Sequence, residues 1–189
     1  IATEAIDRLH TTANSHHRAM VIEVMGHSAG WIALYAGMAG GGDIILIPEI
    51  EFDIKKVCKR IEERYENKKS YSIVVVAEGI TNLPQNKTAG SYIAQCITEL
   101  TGVEARETRL GYIQRGGSPT AMDRILATRY GAFTAETIAK ENYGVMVALK
   151  KNTLTTIPLN EVENKLNLVS ADNPLVRKCR NMGVSFGDI

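Results

Sequence analysis

The chain has 189 residues, 44% of them apolar, with 22 Lys and Arg against 21 Asp and Glu, a formal net charge of +1. That much apolar material builds a core and argues against disorder, while the balanced charge offers no general field for nucleic acid or an anionic membrane. No apolar run approaches the ~20 residues that span a bilayer, no signal-peptide pattern opens the chain, and Cys58, Cys96 and Cys179 form no CxxC pair, so the expectation is a soluble, cytoplasmic protein with no disulfide framework and no metal site.

The elements follow in chain order. Ile1 opens the chain without a methionine, inside a helical pattern carried by Ala2, Ala5, Ile6 and Leu9, which suggests a piece of a longer protein. Val21 to Met25 is the first β-branched run, and Trp31 to Met38 reads as an apolar helix after it. Ile44 to Ile47 is the second strand. Asp53 is a natural N-cap for a helix with Ile54, Val57, Cys58, Ile61 and Tyr65 on one stripe. Ile73 to Ala77 is the third strand, followed by Glu78 and Gly79; a helix with Ile93, Cys96, Ile97 and Leu100 on one face then ends near Gly102. A long helix from about Pro119 to Tyr143 turns Met122, Ile125, Leu126 and Phe133 inward, Val145 to Leu149 is a further strand, and a short helix lies around Asn173 to Met182. Strands apolar on both faces belong to a parallel sheet, and their alternation with helices predicts a doubly wound α/β sandwich of three layers. Ligands in such folds sit at the carboxyl ends of strands, which singles out Glu78 as a binding carboxylate over a plain cap or salt bridge.

Gly26-His27-Ser28-Ala29-Gly30 fits G-x-S-x-G, the nucleophile elbow of α/β-hydrolases, and lies between a strand and a helix. A hydrolase serine needs a histidine base that follows it in the chain, whereas His10, His16, His17 and His27 all precede Ser28. Ser28 is therefore expected to cap the following helix. His16 and His17 are adjacent and diverge, which is poor geometry for one metal.

The segment LGYIQRGGSP, Leu110 to Pro119, carries the most chemistry. Gly116 and Gly117 permit close backbone approach to an anion, Arg115 supplies a guanidinium fork, and Ser118 and Pro119 suit the N-cap and first position of a helix whose free N–H groups face a phosphate. By itself the pattern serves equally as a phosphate clasp or as an ordinary strand-to-helix turn with a solvated arginine.

Together with EAIDRL (Glu4 to Leu9), SHHR (Ser15 to Arg18), VMGH (Val24 to His27), Ala29-Gly30, Ala39 to Gly41, Ile47 to Glu49, Glu78 and Asp123-Arg124, this segment resembles the C-terminal half of the 6-phosphofructokinase family, from Ile1 to at least Tyr143. The resemblance implies the family's sugar-phosphate domain and phosphoryl transfer to the 1-hydroxyl of fructose 6-phosphate in glycolysis. It implies that Met25 and Gly26 line the sugar, that Glu78 accepts bonds from sugar hydroxyls, and that Tyr112, Ile113, Gln114 and Arg115 hold the 6-phosphate. Arg18 and Arg106 would reach the 6-phosphate of a neighbouring subunit, making a homo-oligomer with shared sites. His27 stands at an arginine position expected to support the transferring phosphoryl group, and Tyr112 at a histidine position. His10 and Lys69 fall at basic positions of the bacterial effector site, with Asp43 as its metal-side carboxylate and Asn67 where a lysine is usual, too thin a cationic cluster for the usual effector control.

The family's donor loop, catalytic base and magnesium function belong to an N-terminal half not among these residues, so ATP and diphosphate both stay open as donor. The same resemblance divides the chain into a fructose 6-phosphate-binding domain (1–115), a segment that returns to the N-terminal half (116–160) and a tail (161–189). The alternatives are an α/β-hydrolase using Ser28 and a non-catalytic sugar-phosphate-binding module.

Overall fold

The computed structural model describes residues 1–81 and 83–189, which divide into two compact units, 1–116 with 167–189, and 117–166. The larger unit is a four-stranded, all-parallel sheet in the order β2-β3-β1-β4, formed by β1 (Ala19–Val24), β2 (Ile44–Leu46), β3 (Ser72–Ala77) and β4 (Ala105–Arg109). Every residue of β1, β2 and β3 is buried, as their mainly apolar runs require of strands covered on both faces. The sheet separates two cores. On one face Met20, Ile22, Val24, Ile45, Ile73 and Val75 pack with α1 (Ala2–His16), α2 (Trp31–Ala39) and α7 (Pro174–Asn181). On the other, Val21, Ile44, Leu46, Val74 and Val76 pack with α3 (Ile54–Glu66) and α4 (Ala89–Thr101). This is the doubly wound, three-layer α/β sandwich.

Local signals set several boundaries. The Asp53 side chain accepts from Lys55 N to start α3, and Gly102, at φ 71°, ends α4 in the left-handed conformation. Asn173 caps α7 through the N–H of Leu175, with Pro174 at the first position. The tail contributes Val169, Val176, Cys179 and Phe186 to the first core, and Ser185 exchanges backbone hydrogen bonds with Asp43 and Ile45 along the outer edge of β2. That edge is thereby closed to other chains.

The smaller unit comprises α5 (Ala121–Ala139), the antiparallel pair β5 (Val145–Lys150) and β6 (Thr153–Pro158), and the single turn α6 (Leu159–Val162). Val145 to Leu149 is thus not a strand of the parallel sheet, because its run continues into a tight turn and pairs with the segment that follows. Nor does the stripe on α5 point inward throughout: Leu126 and Phe133 are half-buried, whereas Met122 is 71% and Ile125 55% exposed. A hairpin and one helical turn are too small to cover a nineteen-residue helix. Leu100, expected on the inner face of α4, is exposed in its last turn.

The start of α5 also differs from expectation. Thr120 is the N-cap, its hydroxyl accepting from Asp123 N while the Asp123 carboxylate accepts from Thr120 N at 2.8 Å. This reciprocal box outcompetes Ser118 and Pro119, which lie in the preceding loop, and it satisfies N–H groups that an open helix end would aim at an anion.

Candidate functional site

The connection after β1 leads to α2 on one face of the sheet, while the connection after its neighbour β3 leads to α4 on the other. Adjacent strands that send their chains to opposite faces leave a crevice at their carboxyl ends. Met25, Gly26 and His27 leave β1 there, and Glu78 leaves β3 beside them. Glu78 Oε1 accepts from Gly26 N at 3.3 Å and from His27 N at 3.0 Å. Gln114 Oε1 accepts from Met25 N at 3.2 Å, and its amide donates to Gly111 O at 3.1 Å. Two side chains far along the sequence therefore hold three successive N–H groups of one loop. Gly79 permits the close approach: a Cβ there would stand 1.9 Å from His27 O. His27 itself has φ 52°, a left-handed conformation that side chains seldom adopt and that the Glu78 bond helps to hold.

The LGYIQR part of the motif is anchored by Leu110 N donating to Glu23 O at 3.1 Å, and then winds into a 3₁₀ turn over Gly111–Arg115. Tyr112 and Ile113 are strongly exposed, and the Arg115 guanidinium lies 5.3 Å from the centre of the Tyr112 ring. Gly117, at φ 90°, has the backbone freedom expected of the pair, whereas Gly116 is extended.

Arg18 and Arg106 lie elsewhere, at the amino ends of β1 and β4, the opposite edge of the sheet. Glu104 joins them, at 2.7 Å from Arg18 and 2.6 Å from Arg106. The Arg106 hydrogen bond, with Arg18 adding to it, holds the Glu104 carboxyl below its usual range. His10, Asp43 and Lys69 are also at this edge. His10 bonds Gly40 O at 2.6 Å and contacts the Tyr71 hydroxyl at 3.1 Å. Asp43 accepts from Ile73 N at 2.8 Å and pairs with Arg64 at 2.9 Å; burial pushes its carboxyl up against these partners. Lys69 is exposed in the turn before β3.

Ser28 does not cap α2, whose N-cap is Gly30 with no side-chain bond; its hydroxyl meets His27 Nδ1 at 2.9 Å. No carboxylate among the described residues hydrogen-bonds the His27 ring, so the pair lacks the orienting third member of a triad.

Glu23 and Arg109 stand out although no motif contains them. The Glu23 carboxylate is 2% exposed; Arg109 lies 3.0 Å from one oxygen and Gly90 N donates to the other at 2.8 Å. A lone charge inside the run VIEVM was the available signal, since a buried carboxylate needs partners. Glu49, named above only as part of a motif and given no role, accepts from Gly30 N and Val169 N and ties the tail to the start of α2.

A phosphofructokinase family profile matches residues 1–138, the stretch that holds Glu78, Gln114, Arg115, Arg18 and Arg106. The chain belongs to the phosphofructokinase family. It is 60% identical over 187 residues to the ATP-dependent 6-phosphofructokinase 3 of Bacteroides thetaiotaomicron, covering 99% of this chain and 55% of that protein. It is 46% identical to the pyrophosphate–fructose 6-phosphate 1-phosphotransferase of Amycolatopsis mediterranei, covering 91% of this chain and 55% of that one. The structure of phosphofructokinase from Saccharomyces cerevisiae superposes with a TM-score of 0.75 at 32% identity, covering 84% of this chain and 22% of that one. The chain spans about half the length of the curated relatives it matches. Neither a hydrolase nor a non-catalytic module has support among these names.

Proposed function

We propose that these residues form the sugar-phosphate-binding half of a 6-phosphofructokinase, which transfers a phosphoryl group from ATP or diphosphate to the 1-hydroxyl of fructose 6-phosphate. The observation that carries this is the meeting of Met25, Gly26 and His27 with Glu78 and Gln114 at the crevice between β1 and β3. One carboxylate oxygen of Glu78 braces the loop, and the other has no partner among the described residues. A carboxylate suits neutral sugar hydroxyls, and the exposed Arg115 beside Tyr112 suits a phosphate dianion.

Arg18 and Arg106, on the opposite edge of the sheet, serve the 6-phosphate of a neighbouring copy in this scheme, with Glu104 holding them ready. Their distance from Glu78 along β1 favours service in trans, and a homo-oligomer follows. His27 donates a single bond toward the transferring group in place of a fork, and His27→Arg is expected to raise turnover or change donor preference.

In this scheme the roles of these residues are binding and orientation of the sugar phosphate. Magnesium, the donor and the catalytic base belong to the other half of the enzyme, against which the exposed face of α5 docks. Among the described residues no helix is long and apolar enough to cross a membrane. Calorimetric titration of fructose 6-phosphate into the full-length protein, with fructose as the control, tests the assignment; equal affinity for both would overturn it. Phosphoryl transfer by these 189 residues alone would refute the division of labour.

A further inference from the structure

Beside Glu78 lies a cavity of about 370 Å³, lined among the described residues by His27, Ser28, Glu78, Lys87, Thr88 and Arg109, with Glu23 at its base. Arg115 is not part of its wall. The two carboxylates are already engaged: Glu23 by Arg109 and Gly90 N, and Glu78, through one oxygen, by the loop after β1. The cations keep donors to spare. Lys87 bonds only the neutral Gln95 and pairs with no carboxylate among the described residues. Arg109 meets Glu23 through Nε, and its side chain is 58% exposed against 2% for its partner. The edge of the guanidinium that carries its two terminal amino groups is therefore available to the cavity, while the buried carboxylate anchors the Nε end. An arginine held in this way is a preorganised fork for phosphate.

We propose that Arg109, with Lys87 beside it, is a second phosphate-binding corner of the site, separate from Arg115, so that the crevice grips a sugar phosphorylated at both ends with Glu78 between the two charges. This rests on the sugar-phosphate assignment above and adds to it a specificity-determining residue. Arg109 contacts the phosphate that the reaction adds, and Glu23 is the positioning residue that aims it. His27 lines the same cavity, so Arg109 supplies the permanent charge that an imidazole lacks.

The test is calorimetric titration of fructose 1,6-bisphosphate and fructose 6-phosphate into the full-length protein, wild type and Arg109→Gln. The expected result is a loss of about tenfold or more for the bisphosphate, with the monophosphate unchanged within about twofold and Arg109→Lys recovering most of the loss. Because Arg109→Gln leaves a buried carboxylate unpaired, the double variant Glu23→Gln/Arg109→Gln removes that burden and must show the same selective loss. An equal loss for both ligands, or no loss for either, overturns the role of Arg109 while the sugar-phosphate assignment stands. A wild-type protein that binds neither ligand overturns both.

Discussion

Glu78→Gln separates bracing from binding, because glutamine retains one acceptor oxygen and replaces the other with a donor. The retained oxygen still accepts from Gly26 N and His27 N, at 3.3 and 3.0 Å in the native protein. Losing only the charge assistance of those two bonds costs about 1 kcal/mol. In a chain of these 189 residues that lowers Tm by about 2–4 °C, and by less in the longer full-length protein. The other position has no partner among the described residues and, in the proposed complex, accepts from sugar hydroxyls. A bond from a hydroxyl to a charged acceptor is worth about 1.5–3 kcal/mol, so its loss weakens fructose 6-phosphate binding by about 10- to 100-fold. The assay is calorimetric titration of the full-length protein alongside thermal unfolding. Affinity unchanged within about twofold, at any change in Tm, would refute the reasoning and leave Glu78 as a loop brace alone.

Three further outcomes are expected. Thr120→Ala should cost about 1 kcal/mol by removing the α5 cap, and Ser118→Ala less than about 0.5 kcal/mol, both read by chemical denaturation; the reverse order would contradict the capping box. Ile22→Ala, in the fully buried middle of β1, should cost about 2–5 kcal/mol, while Met122→Ala, on the exposed stripe of α5, should cost less than about 0.5 kcal/mol when these residues are studied without the rest of the enzyme. Glu104 is held ionised below its usual value of 4.5 by Arg106 and Arg18, so its contribution to stability is present above that pH and lost as pH falls through the lowered folded value. Glu104→Gln should therefore show its deficit relative to wild type near neutral pH and converge with it in acid, and a deficit independent of pH would assign the loss to packing.

Much of the fold was legible in the chain because its causes are local. Apolar runs at Val21, Ile44 and Ile73, broken only by Glu23, leave no polar face for water, which forces a sheet covered on both sides. Asp53, Gly102 and Asn173 mark helix ends through bonds and dihedrals within a few residues of themselves. Where the same rules misled, a stronger competitor stood nearby: Thr120 with Asp123 displaced Ser118, and a turn after Lys150 made a hairpin of a run expected in the parallel sheet. The polar strand Ala105–Arg109 carried no period to reveal it, since it lies at the sheet edge with one face against α4.

By itself, then, the sequence determined the layers and most of the helix ends, because each depends on neighbours a turn or a strand away. Only the tertiary structure decided which of those residues meet. Gln114 reaches a residue 89 positions earlier, Glu78 one 52 earlier, and Gly90 finds the Glu23 carboxylate across 67. It also divided the predicted ligands between two edges of the sheet, with Glu78 and Gln114 at one and Arg18 and Arg106 at the other. Strand order imposes that division, since residues adjacent in a motif point wherever their strand begins or ends, and no spacing along the chain records which end that is.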